Sequence, residues 1–326
     1  MARVSDRGSR IAARGSCHGY SIRSDFDFRT LRSGGGTPLH VREEFDLDAG
    51  GELLATWDAR PGNPFHGRLL RDGPGFAFWT SDANWFVIDP ERPSITVSAG
   101  VDLLRRELRM FGVPTALCTF AQGDVSIHAS AVEIDGNGVL LAAPSRYGKT
   151  TLAAAFARAG HRFLSEDTSR CSVGKVPAVF PGPAVLRLRS DVAHDIEIAG
   201  SSQASDPDGR VPVIMDSAER GDGGAVPLRA VIFLDEGAGQ PVLTPVGATV
   251  ALRDVFALAF RLPIEPYRAA TFARVADLVT GVETLRLRRP MTIESLGEVI
   301  EVIEKHVTGQ QSSPRSRTDE RLREPG

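Results

Sequence analysis

The spacing of apolar residues changes character near Asp124. Before that point apolar residues come in short runs of strand length. Residues 52–57, 76–79, 85–88 and 94–97 each carry such a run, and Pro, Gly and Asp turns divide them. This pattern predicts a small β-rich N-terminal domain over residues 37–124. Trp57, Trp79 and Trp85 all fall within it, and aromatic clusters of this kind usually fill the core of a β unit. Residues 102–110 then adopt helical spacing, with Leu103, Leu104 and Leu108 available for one face.

After Asp124 strands and helices alternate. Residues 125–127, 131–134 and 139–142 read as strands, and Asp135-Gly136-Asn137-Gly138 as a tight hairpin between the last two. Residues 150–159 read as a helix stopped by Gly160. Further strands are expected at 162–164, 185–189, 229–234 and 285–287, and helices at 269–279 and 293–306. Residues 199–212 are polar and rich in Gly, Pro and Ser, which predicts a mobile loop and a candidate lid. The alternation makes residues 125–307 an α/β domain. Residues 1–36 are rich in Arg, Ser and Gly and close on Ser33-Gly34-Gly35-Gly36, so a disordered basic tail is expected there. A second disordered tail is expected over the polar, charged residues 308–326.

Composition narrows the function classes. Hydrophobic residues make up 42% of the 326, charged residues 24%, and the net charge is −3. Nothing here suggests electrostatic binding to nucleic acid. No apolar run reaches bilayer-spanning length, and the N-terminus lacks the apolar core of a secretory signal. Cys17, Cys118 and Cys171 are scattered and form no C-x-x-C pair, which argues against a disulfide framework or a cysteine zinc site. A reduced, cytoplasmic location is expected.

The chemistry concentrates in Ala143-Pro144-Ser145-Arg146-Tyr147-Gly148-Lys149-Thr150-Thr151. This segment lies between a strand and a helix, the order a phosphate-binding loop needs. Loop and helix-start amides converge on phosphate oxygens. Lys149 adds a charge that reaches the β/γ-phosphates, and the Thr150 hydroxyl is a candidate Mg²⁺ ligand. Gly148 permits close approach of the backbone.

Two acidic sites compete for the partner role. Glu166-Asp167 follows the loop helix closely, and a strand returning beside the loop strand would carry these carboxylates to the metal, with Asp167 as base or ligand. Alternatively, Asp235-Glu236 closes an apolar strand in the manner of a Walker B pair and would suit an ATPase. His128 lies just before the hairpin that feeds the loop. Arg187 and Arg189 share one face of a strand, where they suit either a phosphate clamp or a salt-bridged edge.

Taken together, these residues resemble the catalytic domain of the HPr serine kinase/phosphorylase group and its wider set of relatives. The resemblance rests on Ile127-His128-Ala129-Ser130-Ala131-Val132, the Asp-Gly-x-Gly hairpin, the loop and its helix, Gly160-His161-Arg162-Phe163-Leu164, and Glu166-Asp167. It spans about Val125 to His306. It implies a P-loop on a mixed sheet, as in ATP-dependent phosphoenolpyruvate carboxykinase, use of ATP and Mg²⁺, and phosphoryl transfer to a serine hydroxyl. It further implies Asp167 as catalytic base near the metal, Glu166 in place of the family's first acid, and His128 as the family histidine. Ala143 and Arg146 stand where the family loop carries glycine. The glycine-rich C-terminal signature loop is absent and residues 37–124 do not look like the family's regulatory domain, so HPr is not the expected substrate. Divergent members resemble kinases of peptide natural-product clusters, including those acting on lasso-peptide precursors.

The resulting expectation is a Mg-ATP-dependent serine kinase. Lys149, His128 and Asp167 are catalytic, residues 143–151 hold the nucleotide, and Thr150, Glu166 and Asp167 hold the metal. Arg187 and Arg189 face the substrate, a peptide or small protein, and a homo-oligomer is left open. A P-loop ATPase and a non-catalytic nucleotide-binding scaffold are the alternatives.

Overall fold

The computed structural model describes residues 13–59, 64–206, 209–265 and 267–309. Residues 1–12 and the expected tail from residue 310 onward lie outside the described residues. The chain begins with an eight-stranded sheet: β1 (Ala13–Cys17), β2 (Tyr20–Ser24), β3 (Thr37–Glu44), β4 (Glu52–Trp57), β5 (Gly67–Asp72), β6 (Gly75–Thr80), β7 (Asn84–Asp89) and β8 (Ser94–Ser98). Its order is β1-β2-β3-β8-β7-β6-β5-β4. Inward residues such as Phe78, Phe86, Ile88, Ile95 and Val97 are buried, and α1 (Leu103–Met110) and α2 (Val113–Ala121) join this core through Met110, Leu117 and Cys118. The Asp102 carboxylate caps α1 by accepting from the Arg105 amide at 2.9 Å. Of the leucines expected on one face of α1, Leu104 is buried and Leu103 is exposed.

The second part is a layered α/β domain. It comprises β9 (Val125–Ile127), β10 (Ala129–Ile134), β11 (Asn137–Ala142), α3 (Lys149–Arg158), β12 (Arg162–Ser165), β13 (Ser169–Ser172) and β14 (Ala178–Phe180). Then follow β15 (Val185–Arg189), α4 (Ser190–Asp195), β16 (Gly200–Ser202), β17 (Arg210–Met215), α5 (Ser217–Arg220) and β18 (Val226–Glu236). The last elements are β19 (Val242–Pro245), α6 (Ala248–Leu258), α7 (Tyr267–Gly281), β20 (Glu283–Arg289) and α8 (Leu296–Val307). The large sheet runs β12-β10-β11-β18-β14-β13-β9, with β20 parallel to β18 and β19 beside β20. Strand alternation sends Leu141, Ile232 and Leu285 to one face with α3 and α8, and Leu140, Val231 and Phe233 to the other with α6 and α7.

The β10–β11 hairpin turns on Asp135 (φ 49°) and Gly136 (φ 75°). Two successive left-handed residues make the turn that matches strand twist. β11 then lies between antiparallel β10 and parallel β18. This places the loop after β11 at the carboxyl edge of the parallel strands, where α/β sheets bind ligands.

Two sequence expectations are corrected. The polar stretch 199–212 is not a free loop: β16 and β17 pair antiparallel within a small sheet, β15-β17-β16. Its backbone groups are used in the ladder, a pairing that residue composition does not encode. Within the expected N-terminal tail, residues from Ala13 onward are built into the fold. Glu107, 1% exposed, accepts from the Arg29 amide at 2.6 Å and from the Thr30 hydroxyl at 2.7 Å. Arg32, 2% exposed, donates to Gly182 O at 2.9 Å, to Phe163 O at 3.1 Å, to Leu164 O at 3.0 Å and to Arg220 O. Burial, opposed in part by Cys17, pushes its guanidinium down to about 9, so it remains charged at neutral pH.

Arg32→Ala would remove the side-chain donor from four backbone carbonyls, of which Leu164 O keeps the Gly182 amide. We expect a loss of about 2–4 kcal/mol, measured as a lower urea midpoint at unchanged slope. Arg32→Lys should recover little, because one ammonium cannot reproduce the planar fork.

Candidate active site

β11 delivers a buried Ala143, after which residues 144–147 are exposed. Gly148 is left-handed at φ 72° and α3 starts at Lys149 with no side-chain cap. The first amides of α3 therefore remain available to an anion, at the positive end of the helix dipole. A Cβ on Gly148 would sit 2.6 Å from the Arg289 guanidinium. Arg146 also has a positive φ, 73°, which costs a side-chain-bearing residue about 1–2 kcal/mol.

Lys149 is 7% exposed. Its ammonium donates to Ala143 O at 2.8 Å and Pro144 O at 3.1 Å, and lies 3.1 Å from His128 Nε2. Burial lowers its pKa, and Asp167 opposes this. Since the ammonium can only donate, Nε2 of His128 accepts, which leaves Nδ1 as the N–H donor. Nδ1 lies 2.9 Å from Asp167 O and 3.1 Å from Asp167 Oδ1. A line Lys149–His128–Asp167 results.

Topology explains how residues distant in sequence meet. His128 sits where the chain passes from β9 to β10, and Asp167 where it passes from β12 to β13. β10 pairs with β12 and β9 pairs with β13, so the two crossings face each other. Ser169 Oγ reinforces the junction with hydrogen bonds to Ala129 O at 3.0 Å and Ser165 Oγ at 2.6 Å. The sequence reading put β12 beside the loop strand; it lies beside β10, one strand further out.

The two adjacent acids differ in environment. Glu166 has 6% side-chain exposure. It accepts from Thr150 Oγ1 at 3.1 Å and from the Arg187 amide at 2.6 Å. Burial, outweighing Arg187, pushes its carboxyl up to about 7. Asp167 is left-handed at φ 64° and its side chain is 60% exposed, because it opens into internal space and not into the core. Enclosure raises its pKa, but the His128 hydrogen bond and the charges of Arg187 and Lys149 bring it well below the usual carboxylate range.

A cavity of about 350 Å³ gathers most of the expected site. Ser145, Arg146, Gly148, Lys149, Thr150, Thr151, His128, Glu166, Asp167, Arg187 and Arg189 all line it. Ala143 and Pro144 act from behind, through carbonyls on Lys149. Tyr147 contributes a carbonyl that accepts from Arg289 at 3.3 Å. Arg187 donates to Asp206 at 2.8 Å and Arg189 to Asp191 at 2.9 Å.

Sequence reading missed Arg210 and Arg289, which line the same cavity. Arg289 is 2% exposed, forms no carboxylate ion pair among the described residues, and has an Nε with no hydrogen-bond partner. A buried cation left in that state beside the loop fits a phosphate group. Its position at the carboxyl end of β20, parallel to β18, was the available signal.

The cavity's donor set fits a nucleoside polyphosphate. For Mg²⁺, the Thr150 hydroxyl and the Glu166 and Asp167 carboxylates are oxygen donors. Among the described residues no cluster of three His, Cys, Asp or Glu forms a metal cage. Mg²⁺ commonly needs only one or two carboxylates when it arrives with phosphates. Asp235 lies elsewhere. Its carboxylate accepts from Arg286 at 2.6 Å, and Arg286 also donates to Asp254 of α6 at 3.0 Å. The pair therefore occupies the sheet face under α6, opposite α3.

A second cavity of about 430 Å³ meets the first. His128, Asp167 and Arg187 line both. Trp57, expected as β-core, packs edge-on against Phe78 and also lines this second cavity.

Glu166 makes stability depend on pH. Below its ordinary value of 4.5 the carboxyl is protonated in both folded and unfolded chains. Between there and about 7 only the unfolded chain ionises. Stability should fall by about 2–3 kcal/mol over that window in metal-free protein. The decline should flatten in Glu166→Gln, as read from urea unfolding at several pH values.

No family model matches the chain, and no curated protein matches it. Among solved structures it is similar to the Hpr(Ser) kinase/phosphatase from Coxiella burnetii, at 12% identity over 57% of this chain and 99% of that one, with a TM-score of 0.32. A likeness this low bears on neither the fold nor the chemistry of this chain. Among the described residues no helix is long and apolar enough to cross a membrane.

Proposed function

We propose that this chain is a Mg-ATP-dependent kinase that phosphorylates a serine hydroxyl of a peptide or small protein. One observation carries the reading. The Asp167 carboxylate, held ionised and oriented by His128, stands at the wall shared by the cavity that the 145–151 loop and its arginines line and a second cavity. A hydrolase needs room for one water there; a transferase needs room for an acceptor.

In this reading the α3 amides, Lys149 and Arg289 hold the phosphates of ATP, and Thr150 with the acidic pair holds Mg²⁺, which would neutralise charge on the phosphates. Asp167 accepts the proton of the acceptor hydroxyl as its oxygen bonds to the γ-phosphorus, and the bond from that phosphorus to the ADP oxygen breaks. His128 orients Asp167 and relays position from Lys149. Catalysis is positioning and charge stabilisation. The ATPase reading built on Asp235 has no support in the geometry, because that carboxylate is paired with Arg286 on the sheet face opposite α3 and does not line the loop cavity.

Labelled γ-phosphate should reach a peptide or small protein from a host lysate in the presence of wild-type protein. Lys149→Ala and Asp167→Asn should each lower transfer by about 10²–10⁴-fold. Arg289→Ala should raise the KM for ATP more than it lowers kcat, whereas Asp235→Asn should retain transfer. Label appearing only in inorganic phosphate, lost on Asp235→Asn, would replace the kinase by an ATPase. Nucleotide binding with no movement of label would leave a scaffold.

A further inference from the structure

Resting on the kinase reading, we propose that the second cavity is the acceptor site, and that it selects serine flanked by a bulky apolar residue. The observation is the contrast between two cavities that meet at one carboxylate. The 350 Å³ cavity is lined by the phosphate loop and arginines. On the other side of Asp167 the 430 Å³ cavity is walled by Trp57, Phe78, Leu104, Leu108, Ala116 and Phe260. Its volume lies within the range of about 300–1,000 Å³ common to ligand pockets. Apolar walls with a few convergent polar groups are the usual composition of such a site.

Most charged groups along this wall have partners: Asp102 accepts from the Arg105 amide at 2.9 Å, while the Arg105 guanidinium makes no ion pair among the described residues. Arg109 donates to Asp82 at 2.8 Å and lies 4.1 Å over the Phe65 ring, and Arg187 donates to Asp206. With these pairs satisfied, the apolar stretch between Trp57, Phe78, Leu108 and Phe260 favours an uncharged side chain.

The wall is fixed to the catalytic junction. The His128 amide donates to Leu258 O at 2.8 Å and the Phe260 amide to Ser126 O at 2.8 Å, with a bridge between Ile127 and Ala259. Residues 258–260 thus form a short strand-like edge beside His128. An acceptor whose hydroxyl reaches Asp167 must lay its neighbouring residue along this edge and against α1 and α2. Burying apolar surface there contributes binding that positions the hydroxyl for attack. The remaining wall comes from β4 and β6, so the N-terminal sheet supplies specificity to a reaction centred in the other domain.

The test compares two synthetic peptides, acetyl-Gly-Phe-Ser-Phe-Gly-amide and acetyl-Gly-Ala-Ser-Ala-Gly-amide, with ATP and Mg²⁺. The phenylalanine peptide should show kcat/KM at least about tenfold higher. Leu108→Glu should bring the two within about twofold, mainly through KM. Ala116→Leu, which fills the opposite wall, should do the same. Ala116 is buried, so the half-buried Leu108 carries the test if that variant does not fold. Equal kcat/KM for both peptides in the wild type would overturn the proposal and leave the kinase reading intact.

If neither peptide accepts label, binding decides by quenching of tryptophan fluorescence, with Trp57→Phe as control. Binding of the phenylalanine peptide alone, lost in Leu108→Glu, would keep the apolar site and remove the kinase reading. Absence of binding, or equal binding of both peptides, would overturn the site itself.

Discussion

A buried ammonium has to be satisfied, and the site is organised around that requirement. Lys149 lies at the start of α3 with 7% exposure. In low dielectric an unpaired cation there would cost several kcal/mol. Two loop carbonyls and the His128 ring surround it. This arrangement constrains the loop to curl over the ammonium and selects the histidine tautomer. The Nδ1 proton is then aimed at Asp167. One electrostatic constraint thereby couples a loop after β11, a crossing after β9 and a turn after β12.

The two carboxylates of the acidic pair show how backbone geometry divides labour between neighbours. The left-handed turn at Asp167 sends its side chain away from that of Glu166. Glu166 goes under Thr150 and against the Arg187 amide, where burial favours its neutral form. Asp167 goes to the open wall between cavities, where cations and a hydrogen bond favour its ionised form. Environments that push two like groups apart in pKa are a common basis for separate acid and base roles.

The N-terminal sheet is tied to the α/β domain by buried polar contacts as well as by apolar packing. Arg32 meets the carbonyls of Phe163, Leu164 and Gly182 across the boundary, and Glu107 fixes the adjoining Arg29–Thr30 segment. Leu262 of the later chain enters the N-terminal core. Joined in this way, Trp57 and Phe78 can wall a cavity whose other side carries Asp167. A wall assembled from two parts of the chain holds its shape only if their boundary is rigid, and the enclosed Arg32 fork contributes to that rigidity.

Local spacing carried the strand–loop–helix order around Lys149, the Asp135–Gly136 hairpin and the candidacy of His128, Glu166 and Asp167. These depend on neighbours within a few residues, and turn chemistry and periodicity report them directly. The same information could not place Arg289 by the loop, because the parallel pairing of β18 with β20 brings it there across 140 residues of chain. Nor could it separate Asp167 from Asp235. Both end apolar runs, and only strand order and side-chain alternation decide that one faces the cavity beside the loop and the other lies under α6. The Arg-, Ser- and Gly-rich start reads as a tail because its stabilising partners, the carbonyls of β12 and the Glu107 carboxylate, lie far along the sequence. The sequence alone determined the local strand–loop–helix pattern around Lys149; tertiary structure decided which acid lies beside it and what faces it, since strand register and long-range burial are properties of the packed chain.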